Sequence, residues 1–228
     1  MRTFLALALT AVIGLRAAAA QPRTAGNPCV AKGNVNPRLL PVDDAASKPD
    51  FLSYRVRLQM AVERRDVGAV IEAVDPGIRL GFDGSGGVAT LRTSFSDRPE
   101  LWDELRVVLA RGGRFSSPVS FAAPYVYANW PGQFDAFECA AITGTNVRLR
   151  SAPRFDALIV ASVSYSILRL MEPASGQLWS RVQLGDGRTG YMWHAYVRSS
   201  VDYRALFNLI DGRWRMTGVP GARTPATE

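Results

Sequence analysis

The sequence predicts an α+β chain. A helical and small-sheet N-terminal region leads into a small β-barrel, and a C-terminal β-hairpin either follows that barrel or returns to the first region's sheet. Three observations predict it. Apolar stripes at helical spacing alternate with strand-like runs up to Trp130. From Phe137 the texture changes to short β-type runs between turn signals, with no helical stripe. Finally, Asp211-Gly212 separates two alternating runs, as a two-residue hairpin turn does.

The N-terminus reads as an export signal over residues 1–20. Arg2 supplies the basic start, Phe4 to Leu15 an apolar run too short for a bilayer, and Ala17 to Ala20 the small residues before a cleavage site. Cleavage is expected after Ala20, giving a periplasmic or secreted chain with no membrane span. Of 27 basic residues, Arg2 and Arg16 leave with the signal; the remaining 25 against 20 acidic residues give a net charge of +5. The basic residues are scattered and mostly arginine, not clustered with aromatics as a nucleic-acid surface requires. No nucleic acid partner is expected.

Residues 21–49, rich in Pro, Asn, Ala and Gly, read as an extended lead-in. The N-terminal domain is expected over 50–136. Phe51, Tyr54, Leu58, Ala61 and Val62 form a helical stripe that leaves out Arg55, Glu63 and Arg64. A second helix follows Asp66, with Val67, Val70, Ile71 and Val74 inward, and Pro76-Gly77 stops it. Ile78, Leu80 and Phe82 alternate as a strand; Asp83 to Gly87 turn, and Val88 to Phe95 is expected to return as its partner. Pro99 opens a helix with Leu101, Trp102, Leu105, Val108 and Leu109 on its apolar face, ended by Gly112-Gly113. Phe115 to Trp130 is strand-rich. The barrel is expected over 137–200, the hairpin over 201–219 and a frayed tail over 220–228.

Within the barrel region, Leu149-Arg150-Ser151-Ala152-Pro153 resembles the opening of bacterial SH3 (SH3b) domains. Gly176 to Val182 resembles that family's Gly-Trp-x-x-Val strand, with two residues intervening before Trp179. Gly185 to Met192 resembles its turn and Gly-aromatic strand, and His194-Ala195-Tyr196-Val197 its closing segment. Arg148 and Ala152 stand where Asn and Gly are common. The resemblance covers about 60 of 228 residues and implies a small barrel that binds an envelope ligand, peptidoglycan or an extended peptide, through a groove. The layout, with Tyr203 to Phe207 and Asp211 to Met216 after the barrel, also resembles exported SH3b proteins of no defined activity. The candidate groove comprises Trp179, Tyr191, Trp193, His194, Tyr196, Arg148, Arg150 and Arg188. Trp193 and Tyr196, three apart, fall on opposite faces of a regular strand, so one should be exposed. The helices followed by strands also resemble a nuclear-transport-factor-2-like cone. On that reading the hairpin belongs to the first domain, the barrel is an insertion, and the cone binds a small molecule or carries an active site.

No catalytic residue is assigned. Asp83-Gly84-Ser85-Gly86-Gly87 misses the G-x-S-x-G pattern at its first position, and His194 lies far along the chain. Glu100, Asp103 and Glu104 are accounted for by the dipole of the helix they begin. One His and two Cys cannot make a standard zinc site without carboxylates, so neither metal nor cofactor is expected. Cys29 and Cys139 are compatible with a bridge in an oxidising compartment and equally with two small buried hydrophobes.

Overall fold

Pro49, which needs no amide partner at a helix start, opens α1 (Pro49–Glu63), and the Asp66 carboxylate accepts from the Ala69 amide to cap α2 (Val67–Ala73). The computed structural model describes residues 27–33, 35–171 and 178–221. The expected signal segment, the cleavage after Ala20, Gly176-Gln177 and the tail beyond Gly221 lie outside the described residues.

After α2 come β1 (Val74–Arg79), α3 (Val88–Asp97), α4 (Glu100–Ala110), β2 (Arg114–Ser117), β3 (Ser120–Ala123) and the short α5 (Tyr125–Ala128). Two expectations change here. Pro76-Gly77 lies inside β1, because the helix already ends at Ala73. Val88 to Phe95 is not a returning strand but α3: Leu91, Ser94 and Phe95 fall on one helical face and are buried, so a period of 3.6 wins over a period of 2. Phe82, expected in the strand, is exposed beyond the end of β1.

The hairpin β11 (Ala205–Ile210) and β12 (Arg213–Gly218) returns to the first sheet, whose order is β1-β12-β11-β3-β2. Only the β1–β12 pair is parallel. This settles the alternative left open by the sequence: residues between α5 and β11 are an insertion into an α+β unit. The helices bury their stripes against this sheet, and the aromatic rings fill the space between. Phe51 lies 4.4 Å from Phe121 and 4.8 Å from Trp214, ring centroid to centroid, with Phe115 and Phe207 packed around it. Arg55, expected outside the stripe, is buried instead. Its guanidinium donates to both oxygens of Asp43 at 2.8 and 2.6 Å, so lead-in and helix neutralise each other's charge.

The insertion holds β4 (Cys139–Ile142), β5 (Val147–Arg150), β6 (Ile159–Val163), β7 (Ile167–Leu170), β8 (Trp179–Gln183), β9 (Thr189–Trp193) and β10 (Val197–Arg198), in the order β10-β4-β7-β8-β9-β5-β6. The expected barrel is not closed: β10 and β6 are edges, and no pairing joins them among the described residues. The sheet is nevertheless coiled. Laid flat, seven strands would span roughly 29 Å, yet all seven contribute to one apolar cluster around Leu149, Leu168, Val182 and Met192. A 3-10 turn, His194–Tyr196, joins β9 to β10.

The lead-in is docked rather than loose. Arg38 bridges to Ser166, the Leu39 amide donates to the Tyr165 carbonyl, and Leu39 is buried. Cys29 and Cys139 form a disulfide, with Cα atoms 5.7 Å apart, which stitches the lead-in to β4. No helix among the described residues is long and apolar enough to cross a membrane.

Candidate functional site

Antiparallel pairing of β8 with β9 sets Trp179 opposite Trp193, and their rings meet edge to face at 5.5 Å. Phe155, from the loop after β5, lies 4.9 Å from both and is 64% exposed. Together with Tyr196, Arg148, Arg150 and residues 145–147 these rings line a cleft of about 210 Å³. Arg150 is buried and donates to the Ala157 carbonyl at 2.8 Å, which holds the loop carrying Phe155. Arg148 is exposed.

Five of the eight expected groove residues therefore meet: Trp179, Trp193, Tyr196, Arg148 and Arg150. Tyr191, His194 and Arg188 do not line the cleft. Tyr191 sits one side-chain repeat back along β9, opposite Arg150 and Arg181. His194 turns inward, buried, with Nδ1 2.9 Å from the Ser180 hydroxyl. Arg188 sits in the β8–β9 turn, 2.8 Å from Asp186, and donates to the Val160 carbonyl. Trp193 and Tyr196 both reach the cleft because the chain leaves β9 for the 3-10 turn between them, so strand alternation does not govern Tyr196. Phe155 is missed by the sequence reading. Its signal was a large aromatic within the turn-rich Ser-Ala-Pro-Arg-Phe-Asp segment.

A second and larger space, about 630 Å³, opens between α1, α2 and the turn of the β11–β12 hairpin. Buried Leu58 and Ala61 contribute its apolar wall, with Tyr54 and Trp214 beside them. Tyr54 donates its hydroxyl to the Ala73 carbonyl at 2.7 Å, and burial pushes the phenol pKa up. Trp214 donates its indole N–H to Asp50 at 2.8 Å, and that bond holds the Asp50 carboxyl below its usual range. Arg57 of α1 and Arg64, the residue that caps its C-terminal end, join Arg213 and Arg215 of β12 at the rim, against the two carboxylates of Asp50 and Glu72. Four cations against two anions leave the groove positive. None of these residues was assigned to a binding site from the sequence, where the arginines are dispersed over two segments some 150 positions apart.

The remaining candidates have partners of their own. Ser85 donates to Asp83 at 2.7 Å, a bond that lowers the Asp83 pKa, and His194 is engaged with Ser180, not with Ser85. Asp103 pairs with Arg106 and Arg65, and Glu104 faces Arg198. Among the described residues no group of three or more His, Cys, Asp or Glu could hold a metal ion.

No family model matches the chain, and no curated protein matches it. Three solved structures are similar. One is a nuclear-transport-factor-2-like protein of unknown function from Shewanella oneidensis, 11% identical over 76% of this chain and 97% of that one, with a TM-score of 0.31. A protein of unknown function with a cystatin-like fold from Nostoc punctiforme is 14% identical over 78% and 91%, with a TM-score of 0.26. A nuclear-transport-factor-2-like protein of unknown function from Pseudomonas putida is 11% identical over 80% and 90%, with a TM-score of 0.27.

Proposed function

We propose that this chain is a non-catalytic small-molecule-binding protein. Its first unit is a cone-type α+β domain in the manner of nuclear-transport-factor-2-like proteins, and the second sheet is an insertion. The observation that carries this reading is the groove between α1, α2 and the hairpin turn. Its volume of about 630 Å³ falls in the range of small-ligand sites, and an apolar wall meets convergent charged groups there. The cleft of the insertion, at about 210 Å³, falls below that range. An excess of arginine favours an anionic ligand with an apolar portion. The test is titration of the full chain with anilinonaphthalene sulfonate, a fluorescent anionic probe. Saturable binding that weakens about tenfold in Arg57→Gln or Arg213→Gln supports the groove. Absence of binding, or binding indifferent to both changes, removes it.

A second reading rests on the cleft: an SH3b-type module that recognises peptidoglycan or an extended peptide of an envelope protein. It is favoured by the convergence of Trp179, Trp193, Phe155 and Tyr196 beside Arg148. Co-sedimentation with purified cell-wall sacculi tests it. Salt-resistant pelleting lost in Trp193→Ala, Tyr196→Ala supports the cleft; pelleting at low salt only reduces it to the general positive charge. Both readings place the chain in the periplasm or outside the cell, after removal of residues 1–20. The Cys29–Cys139 bridge supports an oxidising compartment, and N-terminal sequencing of the exported chain checks the cleavage site.

A further inference from the structure

The five-stranded sheet turns Phe121, Phe207 and Met216 towards the helices. Alternation along the strands turns Ala122, Leu206 and Asn208 to its other face. A trough of about 540 Å³ lies on that face, within the range of small-ligand sites. One row of backbone partners crosses all five strands there: Arg79 of β1, Gly218 of β12, Leu206 of β11, Ala122 of β3 and Arg114 of β2. Four strand spacings separate the two arginines, roughly 19 Å along the sheet, and both line the trough. Among the described residues no Asp or Glu lines it.

We propose that this trough binds a sugar acid, a hydroxylated ring bearing one carboxylate, with that carboxylate at Arg79.

The two ends of the row are not equivalent. Arg114 donates from Nε to Asp44 at 3.3 Å and from Nη1 to the Asn129 side chain at 2.9 Å, so its charge is matched and its position fixed. Its Nη2 is left for a neutral ligand oxygen. The Arg79 side chain is exposed and makes no hydrogen bond or ion pair among the described residues. A carboxylate takes two parallel bonds from such a guanidinium.

The polar row beside them runs in one direction. Thr217 donates its hydroxyl to Asn208 Oδ1 at 2.8 Å, and Asn208 Nδ2 donates to Ser120 Oγ at 2.9 Å. That order leaves the Ser120 hydroxyl proton to donate to a ligand oxygen. The hydroxyls of Ser116 and Tyr127, without partners among the described residues, add two more polar groups. The Tyr127 ring is held by Arg204, whose guanidinium stacks at 4.5 Å on it and at 4.9 Å on Phe82. This ring, Leu206 and Ala122 give the C–H groups of a sugar an apolar contact. Several hydroxyl partners around one unmatched cation suit a monoanionic sugar. A fatty anion would leave those hydroxyls unpaired, and inorganic phosphate calls for more charge.

D-Glucuronate is the probe, titrated calorimetrically into the full chain, with D-glucose, an alcohol in place of the carboxylate, as its neutral counterpart. The expected result is one saturable glucuronate site, at least tenfold tighter than glucose. Arg79→Gln should weaken it about tenfold and Ser120→Ala about threefold. Arg79 has no partner in the protein to lose, so Arg79→Gln should keep the parent's urea midpoint. Arg57→Gln and Trp193→Ala should bind glucuronate as the parent does, which separates the trough from the groove and the cleft. The proposal is overturned by no glucuronate binding, by equal binding of glucose or inorganic phosphate, or by full binding in Arg79→Gln. Weakened binding in Arg57→Gln or Trp193→Ala would overturn it too, by placing the probe in one of the other two sites.

Discussion

The guanidinium of Arg198, on β10 of the inserted sheet, lies 3.4 Å from the Glu104 carboxylate on α4 of the first unit, and the Arg198 side chain is only 1% exposed. A second nitrogen of Arg198 donates to the Tyr203 carbonyl at 2.6 Å, just where the chain leaves the insertion for β11. The pair thus fixes the insertion to the helical layer at its exit. Removing one partner of a buried pair strands the other's charge, which costs more than the intact pair contributes. Glu104→Gln should therefore destabilise by about 3 kcal/mol, and Arg198→Met by a similar amount. The double variant should lose less than the sum of the two. Urea unfolding of the four chains measures the cycle; strict additivity would mean the two side chains do not act together.

The disulfide closes a loop of 110 residues that contains the whole first unit up to β3. Constraining so long a loop in the unfolded chain corresponds to about 4–5 kcal/mol on the chain-entropy account. Cys29→Ser with Cys139→Ser should lower the urea midpoint accordingly while leaving the unfolding of the parent under reductant indistinguishable from that of the double variant. A midpoint unmoved by either treatment would show that the non-covalent contacts of the lead-in, among them the Arg38–Ser166 bridge, buried Leu39 and the Arg55–Asp43 pair, hold it without the disulfide.

The Arg55–Asp43 pair marks the line between what was legible in the sequence and what was not. The stripes of α1 and α4 follow from helical spacing alone, and every apolar residue assigned to the α4 face is buried. Arg55 was set outside its stripe because charge normally marks solvent; only the lead-in, brought back by the fold, supplies Asp43 as its partner. Val88 to Phe95 failed for a different reason. Eight residues with mixed apolar spacing satisfy both a strand and a helix, and the choice was made by the surface on which Leu91 and Phe95 found burial. The hairpin was recognised from Asp211-Gly212, but its partner β1, more than 130 residues earlier, is a tertiary fact. The cleft was read through its strand aromatics; Phe155, on a loop, carried no period to reveal it. The Arg-rimmed groove joins α1 to β12 and had no local signature at all.

Phe155 offers a direct probe of the cleft, since it covers Trp179 and Trp193 yet is mostly exposed. Phe155→Ala should cost under about 1 kcal/mol, as an exposed ring contributes little burial. Its removal should raise the solvent exposure of both indoles and shift tryptophan emission to longer wavelength. Trp179→Ala, which removes a half-buried strand residue, should cost more. If Phe155→Ala leaves the emission unchanged, the ring does not rest on the tryptophans in solution.

Alkaline stability follows from two buried phenols. Burial pushes the pKa of Tyr54 above its ordinary value and that of Tyr125 up to about 12. Above the unfolded value near 10, the unfolded chain releases these protons while the folded chain keeps them. Fewer protons on the unfolded side means that stability falls as pH rises. Their contribution is therefore fully present below about pH 10 and is lost as pH climbs through the folded values, at about 1.4 kcal/mol per pH unit for each phenol. Tyr54→Phe separates this from other alkaline effects. Near pH 8 it should cost about 1 kcal/mol, the net worth of the hydrogen bond to the Ala73 carbonyl. Near pH 11 the variant should match or exceed the parent, because phenylalanine has no proton to lose. Urea midpoints of parent and variant at the two pH values make the comparison, and parallel losses in both chains would mean that Tyr54 does not set the alkaline limit.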